Sequence, residues 1–499
     1  MKNTRQLFSI IFIFTHLSCA KNDPSQPVTP VQPVIEAPVI PIVVDVNEVV
    51  RTLSGDEVGI NMNYLMDDAV VLGNAYEKTA QGLKQMGAKI LRYPGGEKSD
   101  NYYFASPPYA SAAPKTAFCT FPTPDRRFFN ADQTAKSEVL DFDEMMLICN
   151  QTGSKPLIVV AYDAMYSPWV CGPKPTKEQL LTNAKEWVRY ANITKKYGIK
   201  LWMIGNESFL KESYNGFTTP AQYALDVVEF ADAMRSIDPS IKIVVNGKPD
   251  WWPALLNSPA ASKIDFLGIS NYLQSNISSY DKYRTNTGSL NAETDLAIAA
   301  ISRATSDADK SRIGVIETEF NSIDFVNKTW LNNNNLGHAL CNFEMLSEAI
   351  LKPKLYTACL WNTRWIENAT KPQELFDALQ ANGQLNATGL GLGILGNNLL
   401  KTMVKTTASG NIKCYASYDS ATKRLHIFVL NKETSTQKVK ISAANFLSSF
   451  KFNKWELKGT SPEDRAPTWD KVLDNQAGTA ATDFTLPAHS ITMLICEQK

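Results

Sequence analysis

The feature that most constrains this chain is a repeated alternation of short β-branched runs with amphipathic segments. Eight apolar runs have the length of buried strands, and they read EVGINMNY, AKILRYPGG, KPLIVVAYDA, KLWMIGNES, IKIVVNGKP, IDFLGISNYL, IGVIETEFNS and LYTACLWNTRW. Segments with apolar residues at helical spacing separate them, such as EQLLTNAKEWVRYANITKKYG and AQYALDVVEFADAMRSID. Strands that alternate with helices in this number predict an α/β fold, a (β/α)8 TIM barrel, over residues 56–405.

The segments on either side of the predicted barrel have a different pattern. After residue 406, short strands such as NIKCYASYD, RLHIFVLNK and HSITMLICE follow one another without helical segments between them. This pattern predicts a C-terminal antiparallel β-sandwich domain over residues 406–499. We expect the β-branched segment at 42–55 to add a strand to this sandwich. The proline-rich segment at 20–41 predicts an extended linker.

Residues 1–19 have the layout of an export signal, with basic residues before an apolar segment at 7–14 and small residues after it. The apolar segment is shorter than the roughly 20 residues that span a bilayer. The sequence LSCA around Cys19 resembles a bacterial lipobox, in which the cysteine becomes the lipidated first residue of the mature chain. We therefore predict an exported protein, anchored to a membrane only through lipid on Cys19. Plain secretion after cleavage at Ala20 is the alternative.

The charges of the chain balance, because lysine plus arginine and aspartate plus glutamate each number 50. The net charge is therefore close to zero, and it does not favour nucleic acid or an anionic membrane surface as a partner. A neutral substrate is the simpler expectation, and a local basic site for an acidic substrate stays open.

The cysteines show no C-x-x-C pair and no histidine spacing suited to zinc, so we predict neither a metal site nor a cofactor. Cys149, Cys341 and Cys359 lie in apolar runs and are expected in the core. Cys119 and Cys171 lie in proline-containing loops and are candidates for a disulfide in an oxidising compartment.

Polar residues collect at the ends of the predicted barrel strands. The carboxyl ends of the strands and the loops after them form the active-site mouth of such a barrel. Asn206 and Glu207 end the fourth strand, and Glu317 and Glu319 end the seventh. Because strand side chains alternate with a period of two, we expect Glu317 to lie on the same side as Glu319 and to support it. The other strands bring further candidates for contact with a substrate to this mouth: Asn61, Arg92, Glu97, Tyr272 and Trp361.

Two carboxylates beside an aromatic-lined cleft are the minimum equipment for glycoside hydrolysis. One of them protonates the leaving oxygen, and the other attacks the anomeric carbon or activates water. Aromatic rings suit the apolar faces of sugars, and amides and arginine suit hydroxyl groups. Neither a Ser-His-Asp triad nor a histidine-ligated metal centre is expected, because none of the four histidines ends a predicted barrel strand.

Three motifs carry a family resemblance. WMIGNES and IETEFN resemble the strand-four Asn-Glu and the strand-seven Glu of clan A glycoside hydrolases, and LRYPGGE resembles a segment of the family 51 α-L-arabinofuranosidases and their relatives. The resemblance covers about residues 42–497 and implies hydrolysis with retention of anomeric configuration. It implies that Glu207 is the general acid/base and that Glu319 is the nucleophile.

The same resemblance implies roles for four neighbours of these glutamates. Asn206 would contact the hydroxyl next to the anomeric carbon, Arg92 and Tyr272 would hold and tune Glu319, and Trp361 would be a sugar platform. The chain also departs from the family pattern. Phe320 follows Glu319 where tryptophan is common, and Ser270 stands two residues before Tyr272 where histidine is common. The GINMNY strand lacks the Glu-His pair of many arabinofuranosidases.

These motifs predict a retaining glycoside hydrolase of the α-L-arabinofuranosidase type, acting on plant or algal polysaccharides or their fragments. An endo-acting or β-glycosidase relative, such as a xylosidase or agarase type, is the alternative within the clan. A non-catalytic carbohydrate-binding surface lipoprotein is the alternative from another class.

The segment GLGILG at 391–396 matches the G-x-G-x-x-G pattern of dinucleotide-binding proteins. No strand immediately precedes it, and no acidic residue follows about 20 positions later. We therefore expect it to pack backbone closely where the last barrel helix meets the sandwich.

Overall fold

The computed structural model describes residues 38–68, 75–104, 136–167, 174–210, 217–273, 277–323, 334–365 and 377–498, with a few positions between 115 and 130. The predicted export signal, the lipid anchor on Cys19 and most of the linker lie outside these residues. So do most of the insertion after the second barrel strand and the side chains of Cys119 and Cys171. No helix within the described ranges is both long enough and apolar enough to cross a membrane.

Eight parallel strands close into a barrel, as the alternating pattern predicts. In chain order they are β2 (Val58–Asn61), β3 (Ile90–Tyr93), β8 (Lys155–Val160), β9 (Leu201–Ile204), β10 (Lys242–Asn246), β11 (Phe266–Tyr272), β12 (Gly314–Asn321) and β13 (Leu355–Leu360). β13 pairs with β2 and closes the ring. The side chains that fill the interior are mostly aliphatic: Ile90, Leu157, Val159, Leu201, Met203, Val244, Ile316 and Cys359. The predicted (β/α)8 barrel is confirmed.

The helices between these strands are α1 (Tyr76–Met86), α2 (Phe142–Thr152), α3 (Lys177–Val188), α4 (Pro220–Arg235), α5 (Trp252–Leu256), α6 (Tyr280–Arg284), α7 (Ala292–Ser302), α8 (Asp307–Arg312), α9 (Leu336–Ile350) and α10 (Ala387–Asn398). Local sequence sets several boundaries. Asp141 and Glu144 form a reciprocal capping box at the start of α2, and Gly153 ends that helix in the left-handed conformation.

The region after β3 contains a short 3₁₀ helix at Gly96–Asn101 and two minimal hairpins. Strand β4 (Tyr102–Tyr103) pairs with β5 (Lys115–Thr116), and β6 (Cys119–Thr120) pairs with β7 (Thr123–Pro124). Another 3₁₀ turn, Asp163–Met165, follows β8. Both 3₁₀ segments contribute residues to the mouth of the barrel.

The second sheet combines a strand that precedes the barrel with the strands that follow it. It contains β1 (Ile40–Thr52), β14 (Thr402–Thr407), β15 (Ile412–Asp419), β16 (Arg424–Asn431), β17 (Gln437–Ala444), β18 (Ser449–Lys458), β19 (Thr468–Thr479), β20 (Ala481–Leu486) and β21 (Ser490–Glu497). β1 lies between β14 and β17 in this sheet. Its inward side chains share one core with those of the C-terminal strands, which gives the predicted sandwich. The sandwich begins at Thr402, four residues before the predicted boundary.

The glycine-rich segment 391–396 lies within α10, where it allows two close helix contacts. A Cβ atom added at Gly391 would lie 3.0 Å from the carbonyl oxygen of Ala339 on α9, and one added at Gly396 would overlap the carbonyl oxygen of Met86 on α1. The expectation of close backbone packing is confirmed, but these two contacts are with the barrel helices α9 and α1 and not with the sandwich.

This contact predicts the effect of two neighbouring substitutions on stability. Gly396→Ala should lower the free energy of unfolding by about 1–3 kcal/mol, because the new methyl group is forced against backbone. Gly393→Ala is the matched control on the same helix, since its nearest neighbour would be 3.5 Å away. The control should be neutral or gain up to about 1 kcal/mol from helix propensity. Urea unfolding of both variants measures the difference, and equal effects would contradict the packing described here.

Candidate active site

The guanidinium of Arg92 on β3 is the centre of the barrel mouth. It is fully buried, and its Nη1 donates to Glu319 Oε1 at 2.8 Å and to Asn61 Oδ1 at 2.7 Å. Its Nη2 donates to Asn206 Oδ1 at 2.6 Å. One side chain thus connects residues from four strands or strand ends, and it brings together four residues that the sequence predicted for the site.

The carboxylate of Glu319 is held at both oxygens. Arg92 occupies Oε1, and the hydroxyl of Tyr272 donates to Oε2 at 2.6 Å. A cation and a hydroxyl on opposite oxygens fix the orientation of the carboxylate. This geometry suits a carboxylate that must present a lone pair in one direction.

Glu319 reaches the mouth because β12 is irregular. Ile269 on β11 lies opposite Glu317, and the next residue, Ser270, lies opposite Glu319, so Thr318 is an extra residue in the ladder. Such a bulge shifts the alternation of side chains and re-aims those that follow. Ile316 faces the barrel interior, and the bulge returns the side chain of Glu319 to that side.

The bulge corrects the prediction for Glu317, which does not lie on the same side as Glu319. Glu317 is fully buried, and its Oε1 accepts a hydrogen bond from the hydroxyl of Thr294 on α7. Burial raises the pKa of Glu317 to about 7. The prediction was wrong because it assumed a regular two-residue period, and the structure leaves Glu317 in the helix layer, away from the predicted site.

Asn61 also differs from its prediction as a substrate contact. Its Nδ2 donates to the carbonyl oxygens of Thr318 at 2.8 Å, Cys359 at 3.3 Å and Leu360 at 3.2 Å. Its Oδ1 accepts from Arg92. These contacts use the amide N–H groups of Asn61 within the protein, so its role is to position Arg92.

Glu207 lies on a tight turn after β9. Its φ is +46°, and that of Gly205 is +66°, a left-handed conformation that is costly for a residue with a side chain. Burial raises the pKa of Glu207 to about 8, and the negative charge of Glu319 adds to the rise. A hydrogen bond with Ser270 and the charge of Arg92 act in the opposite direction. Glu207 is therefore protonated at neutral pH and able to donate a proton.

Two buried carboxyl groups that the sequence did not predict for the site, Asp100 and Asp163, lie beside this turn. Asp163 Oδ2 accepts from Ser208 Oγ at 2.9 Å and from the backbone N–H of Asn206 at 3.4 Å. The carboxyl groups of Asp163 and Asp100 hydrogen-bond each other, and the backbone N–H of Asn206 also donates to Asp100. Two carboxyl groups can hydrogen-bond each other only if one of them carries a proton, so we infer that the pair shares one proton. A Cβ at Gly205 would lie only 2.8 Å from Asp163 Oδ2, so the pair packs directly against the turn.

Sequence signals for this pair exist. Asp163 ends the third barrel strand, where the rule for strand ends applies, and Asp100 follows the RYPGG segment by four residues. Burial raises the pKa of Asp163 to about 7 and that of Asp100 well above its usual range. Ser270 stood out in the sequence only as a departure from the family pattern, and the fold brings its hydroxyl to Glu207.

Trp361 forms an aromatic wall at the end of β13. Its ring packs edge to face on Trp365, with 5.6 Å between ring centroids, and it shares a hydrophobic cluster with Tyr272. A Cβ atom at Gly96 would overlap this ring, which explains the second glycine of RYPGG. Lys98 lies over the same wall, with Nζ 5.3 Å from the Trp361 centroid.

Glu97, the remaining predicted residue, is partly exposed next to this wall. Its pKa is raised, mainly by burial and also by the negative charge of Glu319, while Lys98 lowers it. The structure therefore brings Arg92, Glu97, Asn206, Glu207, Tyr272, Glu319 and Trp361 to the mouth of the barrel, with Asn61 beneath them.

Solved structures of arabinofuranosidases share the fold of this chain. The chain aligns with the crystal structure of an α-L-arabinofuranosidase from Thermotoga maritima at a TM-score of 0.69 and 19% identity, covering 92% of this chain and 100% of that one. The family 51 arabinofuranosidase of Xanthomonas axonopodis pv. citri gives a TM-score of 0.64 at 14% identity, covering 92% of this chain and 100% of that one. The chain has an arabinofuranosidase-like fold. The predicted resemblance is thus confirmed for the barrel and the sandwich together.

Related folds and sequences extend this comparison. A family 44 xyloglucanase of Paenibacillus polymyxa aligns at a TM-score of 0.63 and 11% identity, covering 93% of this chain and 100% of that one. The probable α-L-arabinofuranosidase C of Aspergillus fumigatus is 23% identical over 194 residues, which are 35% of this chain and 33% of that protein. The match therefore spans about a third of the length of this curated relative. No family model matches the chain.

The Asp100–Asp163 pair predicts a pH dependence of stability. Folding raises the pKa of both acids, so the native state holds protons that the unfolded chain releases above about pH 4. Stability should fall as pH rises from about 4 towards 7. In Asp100→Asn the amide donates to Asp163 without a shared proton, so the loss of unfolding free energy between pH 5 and pH 8 should shrink by about 1 kcal/mol or more.

Urea unfolding at the two pH values measures this change. Asp470→Asn, which replaces an exposed aspartate on β19, is the control and should show the wild-type pH dependence. The same dependence in Asp100→Asn would contradict a shared proton.

Proposed function

We propose that the protein is a retaining glycoside hydrolase of the α-L-arabinofuranosidase type. The observation that carries the proposal is the contrast between two carboxyl groups in one mouth. Glu319 is gripped by Arg92 and Tyr272, whereas burial and the charge of Glu319 keep Glu207 protonated at neutral pH. Different environments for two carboxyl groups are the signature of a nucleophile and a general acid. The arabinofuranosidase-like fold supports the same reading.

The two residues act in two steps. Glu319 attacks the anomeric carbon while Glu207 gives its proton to the glycosidic oxygen, so the leaving sugar departs as an alcohol and a glycosyl ester forms on Glu319. Glu207, now a carboxylate, then takes a proton from water as the water oxygen attacks the anomeric carbon. The ester bond breaks and Glu319 returns as a carboxylate, which restores both groups to their starting states.

The neighbours of Glu319 and Glu207 have supporting roles in this scheme. Arg92 and Tyr272 stabilise the negative charge that develops on Glu319 when the ester bond breaks in the second step. Asn206, whose Oδ1 is fixed by Arg92, is the proposed contact of the hydroxyl next to the anomeric carbon. Trp361, which is 4% exposed, is the proposed platform for the apolar face of the sugar.

We also propose plant or algal polysaccharides, or fragments of them, as the source of the substrate. In the same proposal the protein is exported and anchored through Cys19, on the strength of the LSCA segment and the signal layout before it. The sandwich domain and the proline-rich linker suit an enzyme held away from a membrane surface.

The division of roles predicts distinct effects of three substitutions on the hydrolysis of aryl glycosides. Glu319→Gln should reduce turnover to background on every substrate. Glu207→Ala should lose about 10²–10⁴-fold on substrates with poor leaving groups and much less on those with good ones. Glu317→Gln is the matched control on the same strand and should retain wild-type turnover, since this carboxyl faces α7.

Rates on a series of aryl leaving groups, with folding checked by circular dichroism, measure these effects. NMR of the first-formed product reports whether the anomeric configuration is retained. Equal losses for Glu207→Ala on all leaving groups, or an inverted product, would contradict the roles assigned here.

The pKa of Glu207 predicts the alkaline side of the pH profile. The general acid works only when protonated, so kcat/KM should fall above about pH 8, the value to which burial raises this pKa. The same limb should be missing in Glu207→Ala, measured on a substrate with a good leaving group. A limb of unchanged position in that variant would assign it to another residue.

A further inference from the structure

Lys98 is a buried cation at the mouth that the mechanism does not use. Its side chain follows the RYPGGE segment in the 3₁₀ helix Gly96–Asn101, and the residue is only 3% exposed. Its Nζ lies between two indole rings, 4.6 Å from the centroid of Trp365 and 5.3 Å from that of Trp361. These ring faces stabilise a cation, but they accept none of its three N–H groups in the way that an oxygen does.

No described residue accepts a hydrogen bond from Lys98, and no described carboxylate oxygen lies within the 4.0 Å of an ion pair. Glu319 is already occupied by Arg92 and Tyr272. Glu97 is adjacent in sequence but makes no ion pair with this ammonium. A buried charge without a partner is unfavourable, and such groups in clefts mark functional sites.

The ammonium belongs to the same mouth as the two glutamates. Trp361, which it overlies, shares a cluster with Tyr272, whose hydroxyl contacts Glu319. Burial lowers the pKa of Lys98, and the negative charges of Glu97 and Glu319 act against this effect. Lys98 is therefore within electrostatic reach of the proposed nucleophile, on the wall where a sugar ring would stack.

We propose that Lys98 binds an anionic group, a carboxylate or a sulfate, on the sugar held in this mouth, so that the substrate is an acidic glycan. The inference rests on the proposed function and deepens it. A sugar hydroxyl would accept one N–H of the ammonium but would not compensate its charge. An anionic oxygen accepts the hydrogen bond and also compensates the charge. The balanced charge of the whole chain favoured a neutral substrate, and this local cation changes that expectation.

The test compares matched pairs of substrates on the full chain. Aryl glucuronides and galacturonides are compared with the aryl glucosides and galactosides of the same configuration, and sulfated oligosaccharides with their unsulfated forms. Wild type should prefer the anionic member of at least one pair by about 10-fold or more in kcat/KM, the size of a charged hydrogen bond. Activity confined to the uronides would assign a carboxylate, and activity confined to the sulfated sugars would assign a sulfate.

Substitution isolates the contribution of Lys98. Lys98→Met keeps the length of the stem without the charge, and it should lose about 10-fold or more on the anionic member while changing the neutral member less than about 3-fold. Lys98→Arg should keep part of the preference. Lys440→Met removes an exposed lysine of the sandwich and should leave both rates unchanged.

Stability gives a readout that a structural role would not produce. Because Lys98→Met removes a buried charge that no oxygen atom of the described residues compensates, the variant should unfold at the same urea concentration as wild type or a higher one. A neutral preference in every pair, or equal losses on both members in Lys98→Met, would overturn the proposal.

Calorimetric binding separates this proposal from the proposed function. Anionic oligosaccharides should bind to wild type and bind at least about 10-fold more weakly to Lys98→Met. Such binding without hydrolysis of any glycoside would support Lys98 and overturn the catalytic proposal. Hydrolysis of neutral glycosides alone, with no binding of anionic sugars, would do the reverse.

Discussion

The site depends on one buried guanidinium. Arg92 has no exposed surface, and its planar fork reaches Glu319, Asn61 and Asn206 at the same time. Lysine carries a single point of charge and cannot reproduce this fork. Removing one partner of a buried ion pair typically costs about 3–5 kcal/mol of folding free energy. The buried guanidinium is therefore stable only when all of its partners are present. The barrel supplies the strands, and this contact sets their polar ends against one another.

Two departures from regular backbone aim the proposed catalytic carboxyl groups. The extra residue Thr318 returns Glu319 to the mouth after Glu317 has faced α7. The left-handed turn at Gly205 and Glu207 lifts the second carboxyl out of the end of β9. Asp163 contacts the turn from below through Ser208. The regular barrel therefore places both glutamates at the mouth, and the bulge and the turn orient their side chains into it.

The sequence predicted what depends on period and on strand ends. The eight apolar runs predicted the barrel, and the polar residues at their ends predicted most of the residues at its mouth, from Arg92 to Glu319. It failed where a bulge changes the phase, as at Glu317, because a two-residue period cannot reveal an inserted residue. It also missed Asp100 and Asp163, although both follow barrel strands, and Lys98, because the contacts that bury these side chains join residues far apart in the sequence.

In the proposed mechanism, Glu319 forms the covalent bond to the sugar. The most direct measurement uses an activated 2-deoxy-2-fluoro glycoside of whichever sugar the enzyme hydrolyses, followed by peptide mapping with mass spectrometry. We expect a glycosyl adduct on Glu319 in the wild-type protein and no adduct at this position in Glu319→Gln. An adduct on Glu207 or Glu317, or rapid hydrolysis of the parent sugar by an enzyme that forms no adduct and inverts configuration, would contradict it.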